Sequence, residues 1–208
     1  MADDDASPSA RQTELLEASY RYVLEHGLAD LSLRPLAAAI GSSPRVLLYL
    51  FDSKDGLVRA LLARARADEL HLLARLRAAD RTPDTDVPVE TVAERVWSWV
   101  AAPEHRALLT LWVEGYARSL IDPHGPWHDF ARTTVEDWLA VLRDAQPAAE
   151  RDTAEGQARR TAVLAVLRGA LLDLLATGDL ERTTSAIRHH LGTAQKMPDA
   201  VPLPRPIT

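Results

Sequence analysis

The chain has 208 residues, 47% of them apolar and 26% charged, with nine glycines and thirteen prolines, so it can bury a core in one or two domains and is neither collagen-like nor low-complexity. It has no cysteine, which excludes disulfide frameworks, thiolate metal sites and thiol nucleophiles. The net charge of −6 argues against a uniformly basic polyanion binder. Residues 1–9, opening Met1-Ala2-Asp3-Asp4-Asp5, read as a disordered acidic tail, with neither the charge nor the apolar stretch of a signal peptide. Helical periodicity then dominates and strand alternation is almost absent. A first helix is expected over 10–26, with Leu15, Leu16, Ser19, Tyr22 and Val23 on one face and Gly27 ending it. Ser32 caps a short helix over 33–40, Gly41-Ser42-Ser43 makes a turn, and Pro44 opens a third helix to residue 50. Ser53 caps a long helix over 54–79, with Leu57, Leu61, Ala65, Leu72, Leu73 and Leu76 inward. At 1.5 Å per residue it spans about 38 Å, enough to connect two lobes.

Residues 81–88 form a Pro-bounded polar linker, and further helices are expected over 89–101, 104–121, 127–145, 153–177 and 180–191. Residues 196–208, rich in proline, read as a tail. The architecture is all-α: a three-helix N-terminal domain over 10–53, a connector helix over 54–79, and a helical bundle reaching residue 195. The longest apolar runs, such as 162–167, fall far short of the ~18 residues a membrane span needs. The expectation is a soluble, cytoplasmic protein that does not engage membranes.

Two short helices around a glycine turn are the geometry of a helix-turn-helix. Small Ala37 lets the helices approach, Gly41 allows a positive φ, and Leu47 falls where the second must pack on the first. On a helical wheel Arg45, Leu48 and Tyr49 share the outer side, while Val46, Leu47, Leu50 and Phe51 share the other. Such an outer face suits a duplex groove, with Arg for guanine or phosphate, Tyr for phosphate and Leu for a thymine methyl. Residues 9–66 carry eight bases and six acids, the only net-positive block of the chain. From periodicity alone, a small helical subdomain with an incidental arginine is the other reading.

The stretches LLEASYRYVLEHGLADLSLR, LAAAIGSSPRVLLYLF and SKDGLVRALL, in this order and spacing, resemble the DNA-binding domain of the tetracycline-repressor (TetR) family over residues 11–66. The resemblance implies a ligand-responsive regulator, most simply a repressor, that binds a palindromic operator as a homodimer and is released by a small molecule. It implies that Ser32 and Arg34 lie against phosphate, that Ser43, Pro44, Arg45 and Tyr49 face the major groove, and that Lys54 clamps a phosphate. The family often has Tyr directly after the leucine of the third helix. Here that position is Leu48 and the Tyr comes one later, so Tyr49 either takes over the backbone contact or that contact is absent.

The segment TAVLAVLRGALLDLLA is apolar nearly all round and needs burial on more than one side. A homodimer through this helix and the next, using Leu164, Arg168, Gly169, Leu171, Leu172, Leu175, Ile187 and Leu191, answers that need, and a central core helix in a monomer is the alternative. All five tryptophans lie between residues 97 and 138. That clustering is compatible with a ligand pocket as well as with an ordinary core. The expected pocket residues are Trp97, His105, Trp112, Tyr116, Trp127, His128 and Trp138, with Arg106, Glu114 and Arg118 as further polar candidates and an apolar or aromatic ligand. His124 and His128 are separated by Gly125-Pro126, which denies them helical i,i+4 geometry as metal ligands. No phosphate loop or nucleophile motif is present, so no catalytic residue, metal or cofactor is expected. The rival function is a helical adaptor that binds proteins, not DNA, through the exposed face of the third helix.

Overall fold

The structure is a computed structural model that describes residues 9–28, 30–79 and 89–194. Residues 1–8, the linker 81–88 and the tail 196–208 lie outside the described residues. The described chain is all helical: α1 (Ala10–His26), α2 (Leu33–Ala39), α3 (Pro44–Phe51), α4 (Lys54–Ala79), α5 (Val89–Val100), a 3-10 turn (Pro103–His105), α6 (Arg106–Ile121), α7 (Phe130–Ala145), α8 (Ala154–Thr177) and α9 (Leu180–Ala194). No described helix is long and apolar enough to cross a membrane.

Helix ends follow local chemistry. Ser9 accepts the Gln12 N–H at 3.1 Å, so the first ordered turn begins one residue inside the expected tail. Ser43, Ser53 and Thr153 cap α3, α4 and α8 in the same way. One departure from expectation is at α7, which starts at Phe130 instead of Trp127. Asp129 takes φ 61°, a left-handed turn that a short polar side chain tolerates, and this swings Trp127 away from the helix. α9 runs on past Leu191 to Ala194.

A head is built from α1–α3 and the first half of α4. Leu15, Val23, Leu28, Leu36, Leu47, Leu57 and Leu61 are its fully buried centre. Tyr20, not among the expected core residues, is buried as well, and its hydroxyl donates to Asp68 of α4 at 2.9 Å. Arg64 bridges Glu17 and Asp68, fastening α1 to α4. Gln12 Nε2 donates to the Leu50 carbonyl at 2.8 Å and fixes the end of α3. Leu57, Leu61 and Ala65 of α4 face inward, whereas the side chains of Leu72, Leu73 and Leu76 lie outside the described ones.

The body comprises α5–α9 around Ala93, Val96, Leu142, Val163 and Ile187. Buried Glu90 is paired by Arg159 at 2.6 Å, and buried Gln146 donates to the Gly156 carbonyl at 2.8 Å, so these polar groups pin α5, α7 and α8 together. The residues expected at a dimer interface divide between two faces. Leu164, Leu171, Ile187 and Leu191 are buried in this chain's own core, and Arg168 is half-buried and turned inward, because these positions lie on the α8 and α9 faces that α5, α6 and α7 cover. Leu175 is partly buried against the same core. Only Gly169 and Leu172 face out, in line with exposed Ala162, Ala165 and Ala176 on α8.

Head and body share α6. Leu109 belongs to the body core and Leu111 to the head core, and Trp112 packs against both. Trp127 and Phe130 also complete the head core. Gly115 permits this contact: a Cβ there would lie 3.1 Å from both Leu62 and Phe130. The head's core therefore continues well past residue 53.

Candidate DNA-reading face and ligand cavity

Gly41, at φ 63° with open space around it, turns the chain between α2 and α3, and the Ser42 N–H closes the turn on the Ala37 carbonyl at 2.8 Å. Ala37 and Leu47 are each 1% exposed, so α3 is seated on α2 through one small and one large side chain. Arg45, Leu48 and Tyr49 point to solvent, and Tyr49 is 83% exposed. The wheel placed Val46 on the inner side, but it too is exposed, at 37%, because an eight-residue helix lying across α2 and α4 covers little more than Leu47 and Phe51. Ser32 stands at the N-cap of α2 without a side-chain capping bond, leaving its exposed hydroxyl available. Arg34 and Lys54 are exposed at the starts of α2 and α4, and Ser43 and Pro44 are half-buried where α3 begins. The result is a rigid ledge with an outward row of one guanidinium, one phenol and two aliphatic side chains, flanked by a lysine.

The body holds a cavity lined by Trp99 and Val100 of α5, Leu108 and Trp112 of α6, Trp138 of α7, Arg168 and Leu171 of α8, and Ala65 and Glu69 of α4. Its volume is about 50 Å³. Glu69, 6% exposed, accepts the Trp138 indole N–H on one oxygen, and its other oxygen has no partner. Burial pushes its carboxyl up to about 7, against the opposing pull of the Trp138 hydrogen bond. Arg168 lies over the Tyr116 ring at 5.3 Å, and Nη1 is 3.4 Å from the Tyr116 hydroxyl. Burial holds its guanidinium below the usual range.

Of the expected pocket residues, Trp112 and Trp138 line this cavity, and Tyr116 sits behind it against Trp112 and Arg168. The other four lie elsewhere. Trp97 turns to α9 and donates to Thr184 at 3.0 Å. His105 stacks on Trp99 from outside and bonds its carbonyl at 2.8 Å. Trp127 serves the head core, and His128 is exposed beside Asp129. Arg106 reaches the Leu175 carbonyl, Arg118 is exposed, and Glu114 accepts the Leu28 N–H of the head at 2.9 Å. The expected set missed Trp99, Glu69 and Arg168. Glu69 carried a signal, since it continues the four-residue register of Leu57, Leu61 and Ala65 on the buried face of α4. Among the described residues no group of three or more His, Asp or Glu side chains is placed to hold a metal.

Residues 15–61, the span from α1 into α4, match the family of bacterial regulatory proteins, tetR family. No curated protein sequence matches the chain. In fold it is similar to a TetR-family transcriptional regulator from Rhodococcus sp., at a TM-score of 0.68 and 19% identity over 89% of this chain and 98% of that one. SmeT, the repressor of the Stenotrophomonas maltophilia multidrug efflux pump SmeDEF, is similar at a TM-score of 0.60 and 21% identity over 99% of this chain and all of that one. The multidrug binding protein EbrR complexed with proflavin is similar at a TM-score of 0.57 and 26% identity over 87% and 99% of the two chains. The head thus matches that family, and the whole fold is similar to that of such regulators.

Proposed function

We propose that the protein is a cytoplasmic repressor that binds a palindromic operator as a homodimer and is released when a small, largely apolar or aromatic molecule enters the tryptophan-lined cavity. The observation that carries this reading is the outward row of Arg45, Leu48 and Tyr49 on a helix whose opposite side is locked by Leu47 and Phe51. A freely solvated surface has no reason to hold an 83%-exposed tyrosine and two exposed aliphatic side chains on so short a helix. A duplex groove flanked by phosphates does. Ser32, Arg34 and Lys54 serve as phosphate contacts, and Ser43 and Pro44 bring the start of α3 against the groove.

The dimer forms through the outward face of α8, where Ala162, Ala165, Gly169, Leu172 and Ala176 recur at three- and four-residue steps. Small side chains there allow a second α8 to approach closely. Two heads then address half-sites about one helical turn (~34 Å) or more apart. Release follows from α6. The cavity as it stands is smaller than the roughly 300 Å³ of an ordinary ligand site, so a drug-sized ligand needs Trp99, Trp112 and Trp138 to part. Trp112 also touches the head core, and Glu114, two residues on, holds the α1–α2 turn. A ligand that prefers the parted arrangement shifts the heads by its differential affinity and no more.

Selection of random duplexes by the full-length protein near physiological salt is the test. An inverted repeat whose binding weakens steeply with salt is the expected result. Recovery of no repeat, with partner binding indifferent to salt, is the result of the adaptor reading.

A further inference from the structure

The chemistry of the cavity wall selects among effectors, given that the cavity is the effector site. Five buried side-chain atoms around it have no hydrogen-bond partner. Four are donors: Nε and Nη2 of Arg168, and the indole nitrogens of Trp99 and Trp112. One is an acceptor, the second oxygen of Glu69, toward which the Trp112 indole reaches without closing a bond. A buried donor without an acceptor is costly, so a ligand rich in acceptors gains most here. The two free guanidinium nitrogens form a fork that matches a carboxylate. A cation would find Glu69, but it would share the cavity with Arg168.

We propose that the effector is an amphipathic carboxylate, its acid group on Arg168 and the tryptophan N–H groups and its apolar body against Val100, Leu108 and Leu171, and that Glu69 takes up one proton as it binds. The balance is simple: the ligand arrives as an anion, one proton comes from solvent to Glu69, and no covalent bond is exchanged within the ligand. Two anions in one small cavity repel, and protonating Glu69 removes one and adds an O–H donor for the ligand. The free carboxyl titrates at about 7, so the proton is available near neutrality. The groups facing Glu69 are Trp138 and Asp137 from α7, Trp112 from α6, Arg168 from α8 and Arg66 on α4, the last paired to Asp137 at 2.9 Å. From the α5 side His105 stacks on Trp99, so it needs its own control.

The experiment titrates the full-length protein with 2-naphthoate, its neutral amide 2-naphthamide, and ethidium, following tryptophan fluorescence and release of the selected duplex. We expect naphthoate to bind at least tenfold tighter than the amide at pH 7, and its affinity to fall about tenfold between pH 6 and pH 8 as Glu69 becomes costlier to protonate. Calorimetry of the wild-type protein in two buffers of different ionisation enthalpy should show uptake of up to one proton, a readout that needs no variant. Glu69→Gln should abolish the pH slope and keep the preference for the acid, Arg168→Gln should abolish the preference, and His105→Gln should change neither. Tighter binding of ethidium or the amide, or a flat pH profile with no proton uptake, overturns the proposal and leaves the cavity as the effector site. If no probe perturbs the tryptophans or releases duplex, both the proposal and the effector-site reading fall.

Discussion

Glu114 is the clearest single link between cavity and head, and it can be cut. Its carboxylate accepts the N–H of Leu28, a residue 2% exposed in the α1–α2 turn, at 2.9 Å. Its other oxygen is buried without a partner. Glu114→Ala leaves the Leu28 N–H unsatisfied, a loss of about 1–3 kcal/mol. For a chain of this size each kcal/mol moves the melting midpoint by about 2–4 °C, so a fall of about 2–12 °C is expected. Glu114→Gln keeps a carbonyl for the same N–H and loses only the extra strength of a charged acceptor, so it should stay within about 1 kcal/mol of wild type. The functional consequence is more discriminating. Ligand affinity of the Ala variant should hold within about threefold, because Glu114 is not part of the cavity wall, while the ligand concentration that releases operator should rise well beyond that factor. Thermal melts at fixed protein concentration, paired with fluorescence-anisotropy release curves, measure both. An Ala variant that melts with wild type and releases DNA at the same ligand concentration refutes the reasoning.

Arg45→Ala should cost about 1–3 kcal/mol per half-site and relax sequence preference, read by competition among single-base operator variants. Lys54→Gln should weaken all duplexes alike and reduce the salt slope by about one per protomer, measured as affinity against salt concentration. Leu172→Glu puts a charge in the centre of the outward α8 face and should give monomers by sedimentation at micromolar concentration, with loss of operator binding but retained helicity.

The head was legible because its residues obey local rules. Ser43, Pro44 and Gly41 mark their positions by capping and turn chemistry, and Leu47 and Phe51 mark theirs by helical spacing. The cavity was not, because a tryptophan's identity says nothing of which face it takes. Trp97 and Trp99 are two residues apart on α5, about 200° round the helix, so one meets α9 and the other the cavity. α8 posed the same difficulty in stronger form. An evenly apolar helix has no preferred side, and only the packed neighbours decide that Leu171 is inside and its neighbour Leu172 is outside. Arg168, expected at the dimer face, turns inward because a tyrosine ring and the cavity receive it.

Trp112, Leu111, Trp127 and Phe130 belong to the head's core although they stand more than forty residues beyond its last short helix. Exchange of recognition heads between relatives is therefore not a matter of splicing at residue 53. A chimera joined there would bring a foreign wedge against Leu57 and Leu61, and it should be recoverable only if α6 and residues 127–130 travel with the graft.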